Sequence, residues 1–128
     1  MKAQVSIEYI IFIGIMLVLF TLASYAALSA GRDIAEDNEV SGARQIAALV
    51  SQELGISVEV GDGYSHAFIL PGSLNGFNYS VNLTESRFVS VSWKNKSYIL
   101  PTLAENVQGS ISIGNNTIEN NGGVITIA

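Results

Sequence analysis

The sequence predicts an α+β protein: one long N-terminal α-helix, apolar in its first half, carrying a small antiparallel β-sheet or sandwich-like head. Three observations carry this reading. The 23 residues from Tyr9 to Gly31 hold no formal charge. Beyond Gly31 the apolar residues recur at helical spacing as far as Leu54. From Gly55 to Ala128 the pattern changes to short alternating runs separated by Gly, Asn, Asp and Pro.

Composition narrows the function classes. The chain has 128 residues, 48% of them hydrophobic and only 13% charged, about half the charged share of an ordinary soluble domain. Its net charge of −5 repels phosphate, and Arg87, Lys94 and Lys96 are too few to make a nucleic-acid face. Nucleic acid is not an expected partner. With no cysteine, disulfides, thiolate metal sites and cysteine nucleophiles are excluded. A head this small is then stabilised by packing or by neighbouring subunits.

The first element is long enough to span a bilayer, which takes about 20 apolar residues. Lys2 precedes the run, whereas Asp33, Glu36, Asp37 and Glu39 follow it. That asymmetry keeps the N-terminus in the cytoplasm and exports the rest. A cleaved secretory signal fits poorly, because its apolar core is roughly 7–15 residues and its leading region is basic, where this chain has Glu8. A plain membrane anchor satisfies length and orientation but leaves Glu8 unexplained.

Gln4-Val5-Ser6-Ile7-Glu8-Tyr9 stands after a short basic leader and before the long apolar helix. It resembles the Q-x-S-x-E-Y processing motif of archaeal type IV pilins, the precursors with a class III signal peptide. The resemblance is specific over Ala3 to Tyr9, general over the helix to Leu54, and architectural beyond. It implies that a prepilin peptidase cuts between Ala3 and Gln4, so that residues 1–3 are a leader, a short one with a single lysine. Residues 4–54 are then a retained helix, with 9–31 for the membrane or filament core and 32–54 amphipathic, and residues 55–128 are the head. It further implies a homo-oligomeric, adhesive extracellular filament on an archaeal cell surface, built by pilus assembly machinery from a membrane-held precursor. An archaellum subunit or a minor pilin shares this plan, although the motif favours a pilus. From a different class, a monomeric membrane-anchored binding domain is the alternative.

Glu8 has two elementary explanations: a carboxylate at the membrane boundary reaches the headgroups, and a helix N-terminus favours negative charge by roughly 0.3–1 kcal/mol. Cleavage before Gln4 would add an α-ammonium four residues away, on the same helical face. By resemblance to pilins, Gln4 and Glu8 set the register of assembly, the acid pairing with the ammonium of an adjacent subunit.

The second half of the helix reads from Val40, Ala43, Ala47, Val50 and Leu54, a 3-4-3-4 stripe widened by Ile46 and Leu49. Gly55 is the expected C-cap, Ser41-Gly42 the expected bend, and the helix to Leu54 is about 75 Å long. Gly14, Ala23, Ala26, Ala27 and Ala30 permit close helix–helix approach.

In the head, strands are expected at 56–60, 64–70, 77–83, 87–93, 97–100, 107–113, 117–119 and 124–127. Gly114-Asn115-Asn116 and Asn120-Asn121-Gly122-Gly123 are read as hairpin turns. No nucleophile–base set presents itself: His66 reads as a hydrogen-bonded structural residue, Asp62 as a turn former, and Tyr64, Tyr79, Trp93 and Tyr98 as strand core or cross-strand pairs. An enzyme, a cofactor and a metal are not expected. Four Asn-x-Ser/Thr sequons, at Asn78, Asn82, Asn95 and Asn115, make the head a candidate for N-glycans on the exported side. Asn78 and Asn82, evenly spaced, are expected on one strand face.

Overall fold

The computed structural model describes Lys2 to Ala128, with side chains from Gln4 onward; Met1, the first residue of the expected leader, lies outside the described residues. One helix, α1 (Lys2–Val60), precedes seven strands: β1 (Ser65–Leu70), β2 (Tyr79–Thr84), β3 (Phe88–Trp93), β4 (Lys96–Pro101), β5 (Val107–Gly109), β6 (Gly114–Asn121) and β7 (Val124–Ile127). This is the predicted α+β architecture of a long N-terminal helix followed by a small β region. The chain divides into two compact units, one ending at Asp37 and one comprising Asn38–Ala128.

The first unit is helix from Lys2 onward. Among the described residues its large apolar side chains are all exposed, from Ile13 at 41% to Tyr25 at 74%, and the helix is long and apolar enough to cross a membrane. Two of its hydroxyls turn inward on the backbone. Thr21 Oγ1 donates to the Leu17 carbonyl and Ser29 Oγ to that of Ala26, so two polar groups in the run need no outside partner.

The second unit holds the core. The strands form a four-stranded sheet, order β1-β6-β7-β5, and a three-stranded sheet, order β2-β3-β4. Ala43, Ile46, Ala47, Val50 and Leu54 of α1 are buried in one cluster with residues of both sheets. From the sheets come Phe68, Leu70, Val81, Val89, Val91, Trp93, Ile118, Ile125 and Ile127. Alternation explains the division: Tyr79, Val81 and Leu83 turn toward the core, while Ser80, Asn82 and Thr84 face solvent. Each fully buried Leu or Val side chain contributes about 1.5–3 kcal/mol.

Several expectations are corrected. Residues 56–60 are helix, not strand, and Gly55 is not the C-cap. The buried stripe continues from Leu54 to Ser57, which is fully buried and donates to the Leu54 carbonyl at 2.8 Å. A serine in that place hid the period. The helix ends where Gly61 takes a φ of +83° and Asn120 Nδ2 donates to the Ser57 carbonyl. At the other end Val40 is 38% exposed, so the stripe opens at Ala43. α1 is unbroken at Ser41-Gly42. Gly42 lies under a neighbour instead, since a Cβ there would stand 3.5 Å from Leu74 Cγ.

The sheets depart from simple hairpins in two places. β5 pairs with β7 in parallel, and the expected strand 107–113 is cut short at Gly109. That glycine has a φ of +99°, and any Cβ would collide with the Ile127 carbonyl. Gly114-Asn115-Asn116 opens β6 rather than forming a turn. Asn116 is 1% exposed, with its amide spent on Ser112 and Gly114, so this polar residue lies inside a strand without an unmet bond. Gly122 and Gly123, at φ +61° and +88°, make the two-residue turn between β6 and β7.

Candidate functional site

On α1, Gln4 and Glu8 are both exposed and one helical turn apart, so they share a face. The side chain of Ala3, on the other side of the expected cleavage point, lies outside the described residues. Further along, Tyr9, Phe12, Ile13, Met16, Leu17 and Phe20 line a single apolar depression on the helix surface. Gly14 has open space around it, which lets another backbone approach closely. Chemically, this segment can do one thing well, which is to bury itself against apolar material.

In the second unit all four sequon asparagines are exposed. Asn78 immediately precedes β2 and Asn82 lies within it, on the solvent side with Ser80 and Thr84. Asn95 occupies the turn between β3 and β4, where Trp93 pairs with Lys96. Asn115 stands apart, in β6, opposite Ile69 of β1.

The remaining polar candidates are structural contacts. His66 Nδ1 lies 3.0 Å from Glu53 Oε2, and the Tyr64 hydroxyl donates to the same oxygen at 3.4 Å, so β1 is fastened to α1. Burial, then the Glu53 charge, pushes the Tyr64 phenol up. Asp62 Oδ1 accepts from the Gly122 N–H at 2.7 Å, joining the turn after α1 to the β6–β7 hairpin. Trp93 and Tyr79 are buried, the latter donating to the Pro71 carbonyl, and Tyr98 is half-buried against the core. Among the described residues, no group of three or more His, Asp or Glu side chains gathers.

Sequence reasoning missed the contacts of Glu39 and Lys94, of Asn75 and of Asn120. Glu39 Oε1 accepts from Lys94 Nζ at 2.7 Å and its Oε2 from Trp93 Nε1 at 3.2 Å. These two hydrogen bonds, the Lys94 one foremost, hold the Glu39 carboxyl below the ordinary carboxylate value. Lys94 Nζ also stands 3.6 Å over the Phe77 ring. Asn75 Nδ2 donates to the Asn38 carbonyl at 2.8 Å. Asn120 bridges the Ser57 carbonyl and the Gly123 N–H. The one advance signal was Asn75-Gly76, a turn dipeptide between apolar residues.

Comparison with known proteins gives no match: no protein family, no curated protein and no solved structure aligns with this chain.

Proposed function

We propose that the chain is the structural subunit of an archaeal type IV pilus, polymerising through its N-terminal helix into an extracellular adhesive filament. The observation that carries this reading is the exposed apolar first unit of α1, joined to a unit with its own core and headed by the Gln4–Tyr9 motif. A helix that is apolar on every side is stable only in lipid or among other apolar helices. Before assembly the bilayer supplies that surrounding, and after assembly the α1 helices of sister subunits do. Glu8 and the α-ammonium that cleavage would expose on Gln4 then select the stagger between subunits, because a buried carboxylate without its partner costs several kcal/mol.

The test is the state of the mature N-terminus. A chain beginning at Gln4, recovered in fibres sheared from cells, is the expected result. A chain that keeps Met1 and stays in the membrane fraction as a single molecule would overturn the proposal in favour of a membrane-anchored binding domain. A processed chain carrying Glu8→Gln is expected to enter fibres more slowly than the unaltered one.

A further inference from the structure

We infer that N-linked carbohydrate is carried on one side of the head, at Asn78, Asn82 and Asn95 around the three-stranded sheet, and that Asn115 stays bare. The inference rests on the export proposed above and adds which sequons are substrates.

The transfer joins the asparagine Nδ2 to the anomeric carbon of an oligosaccharide. It breaks the bond from that carbon to a phosphate oxygen of a lipid-linked donor, the lipid phosphate leaving with the electron pair and the amide giving up one proton. The acceptor must offer both the amide and the hydroxyl two residues on, in a segment free enough to be gripped. In a folded chain that freedom is set by how many backbone hydrogen bonds tie the segment down.

Asn95 has most of it. It lies in a two-residue turn, and both it and its hydroxyl partner Ser97 are exposed. Asn78 lies between the Leu74–Phe77 bridge and β2, outside any strand, with Ser80 exposed after it. Asn82 and Thr84 are exposed on β2, an edge strand with a neighbour on one side only. The register also aligns them. Ser80 pairs with Ser92 and Ser92 with Ser97, so the hydroxyls of the first and third sequons share one cross-strand row on the solvent face.

Asn115 is exposed like the others, and its middle residue is buried as Tyr79 is in the first sequon. Its hydroxyl residue Thr117, however, is only half-exposed, whereas Ser80, Thr84 and Ser97 are exposed. The Asn115 sequon opens β6, which pairs with β1 from Gly114 and with β7 from Ile118. Ile69 and Ala67 pair with Asn115 and Thr117 on one side. On the other, Thr117 exchanges two backbone hydrogen bonds with Ala128, at 2.7 and 3.0 Å. Asn116, the middle residue, is buried and bonded to Ser112 and Gly114. Presenting Asn115 together with its hydroxyl would require parting Thr117 from β1 on one side and from Ala128 on the other.

Glycopeptide mass spectrometry on protein from the native host tests this, with the N-terminus sequenced in parallel. Sugar is expected on Asn78, Asn82 and Asn95, with occupancy at Asn115 at least about tenfold lower than at Asn95, since an inner strand opens rarely. Ser97→Ala is expected to remove one glycan mass from the intact protein, and Thr117→Val none. Occupancy at Asn115 equal to that at Asn95, or a mass lost with Thr117→Val, would overturn the inference. Fibres of Gln4-initiated chains bearing no sugar would overturn it and leave the proposed function standing. A glycosylated chain with Met1 intact would do the reverse.

Discussion

Within a single unbroken helix, Phe20 is 72% exposed while Ala43, Ala47 and Val50 are fully buried. The two stretches share a secondary structure and differ in where their apolar side chains find company. Over 43–57 the apolar residues keep to one stripe, so the chain's own sheets cover them and the polar faces remain in water. Over 9–31 apolar residues point in all directions, and no single neighbour covers them. The first pattern produces a folded unit from one chain. The second calls for a solvent other than water, and this is why the exposed helix bears more on function than any pocket or side-chain cluster in the head.

If the two stretches are independent in this way, substitutions in each should have separate consequences. The largest effect is expected from Leu54→Ala, which removes a side chain only 1% exposed from between helix and sheets. A loss of about 2–5 kcal/mol is expected in denaturant unfolding of the detergent-solubilised chain followed by Trp93 fluorescence. Partition of the chain into membranes should not change. Leu17→Arg is the converse experiment. Placed mid-run, the arginine costs about 2.5–3.5 kcal/mol at the bilayer centre, and the chain should shift from the membrane to the soluble fraction while Trp93 fluorescence stays native. If either substitution disturbs both readouts, the comparison fails.

The division was legible in the sequence to the extent that it depends on local pattern. Tyr9 to Gly31 declares itself by composition alone, and Ala43, Ala47, Val50 and Leu54 by spacing. Val124–Ile127 and the Gly122-Gly123 turn follow from alternation and backbone freedom. What was not legible depends on distant partners. Ile-Ser-Val-Glu-Val at 56–60 alternates like a strand, yet Asn120, 63 residues away from Ser57, supplies the hydrogen bond that ends a helix there. The parallel β5–β7 pair needs Gly109 to pass the Ile127 carbonyl, which no run of residues announces. Of the functional candidates, exposure of the four sequon asparagines followed the alternation. Their unequal tethering came only from the sheet order.

Asn120→Ala sharpens the comparison at the far end of α1. It takes one of two donors from the Ser57 carbonyl, the other being the Gly61 N–H, and the acceptor from the Gly123 N–H. A loss of about 1–3 kcal/mol is expected from the polar groups left short of a partner. Hydrogen exchange should locate it, with amides at 57–61 losing protection and those around Leu17 keeping theirs.

The smallest expected effect, and the only one that depends on acidity, concerns Glu39, near the start of the second unit. Hydrogen bonds from Lys94 and the Trp93 indole hold this carboxyl below its ordinary value of 4.5. Lys96 also favours the charged form, while partial burial opposes it. Because the folded value is the lower one, the stabilisation is fully present above pH 4.5 and is lost as pH falls through the folded value. The unfolding midpoint of the unaltered chain should therefore decline on acidification below about pH 5, as expected of paired carboxylates that must be protonated. Glu39→Gln keeps an acceptor for the indole but removes the charge. Its midpoint should be lower near neutrality and should fall less steeply through the acid range. Equal slopes for the two proteins would show that the Glu39–Lys94 contact does not help hold α1 against the β3–β4 turn, and that the apolar stripe alone fixes the helix in the head.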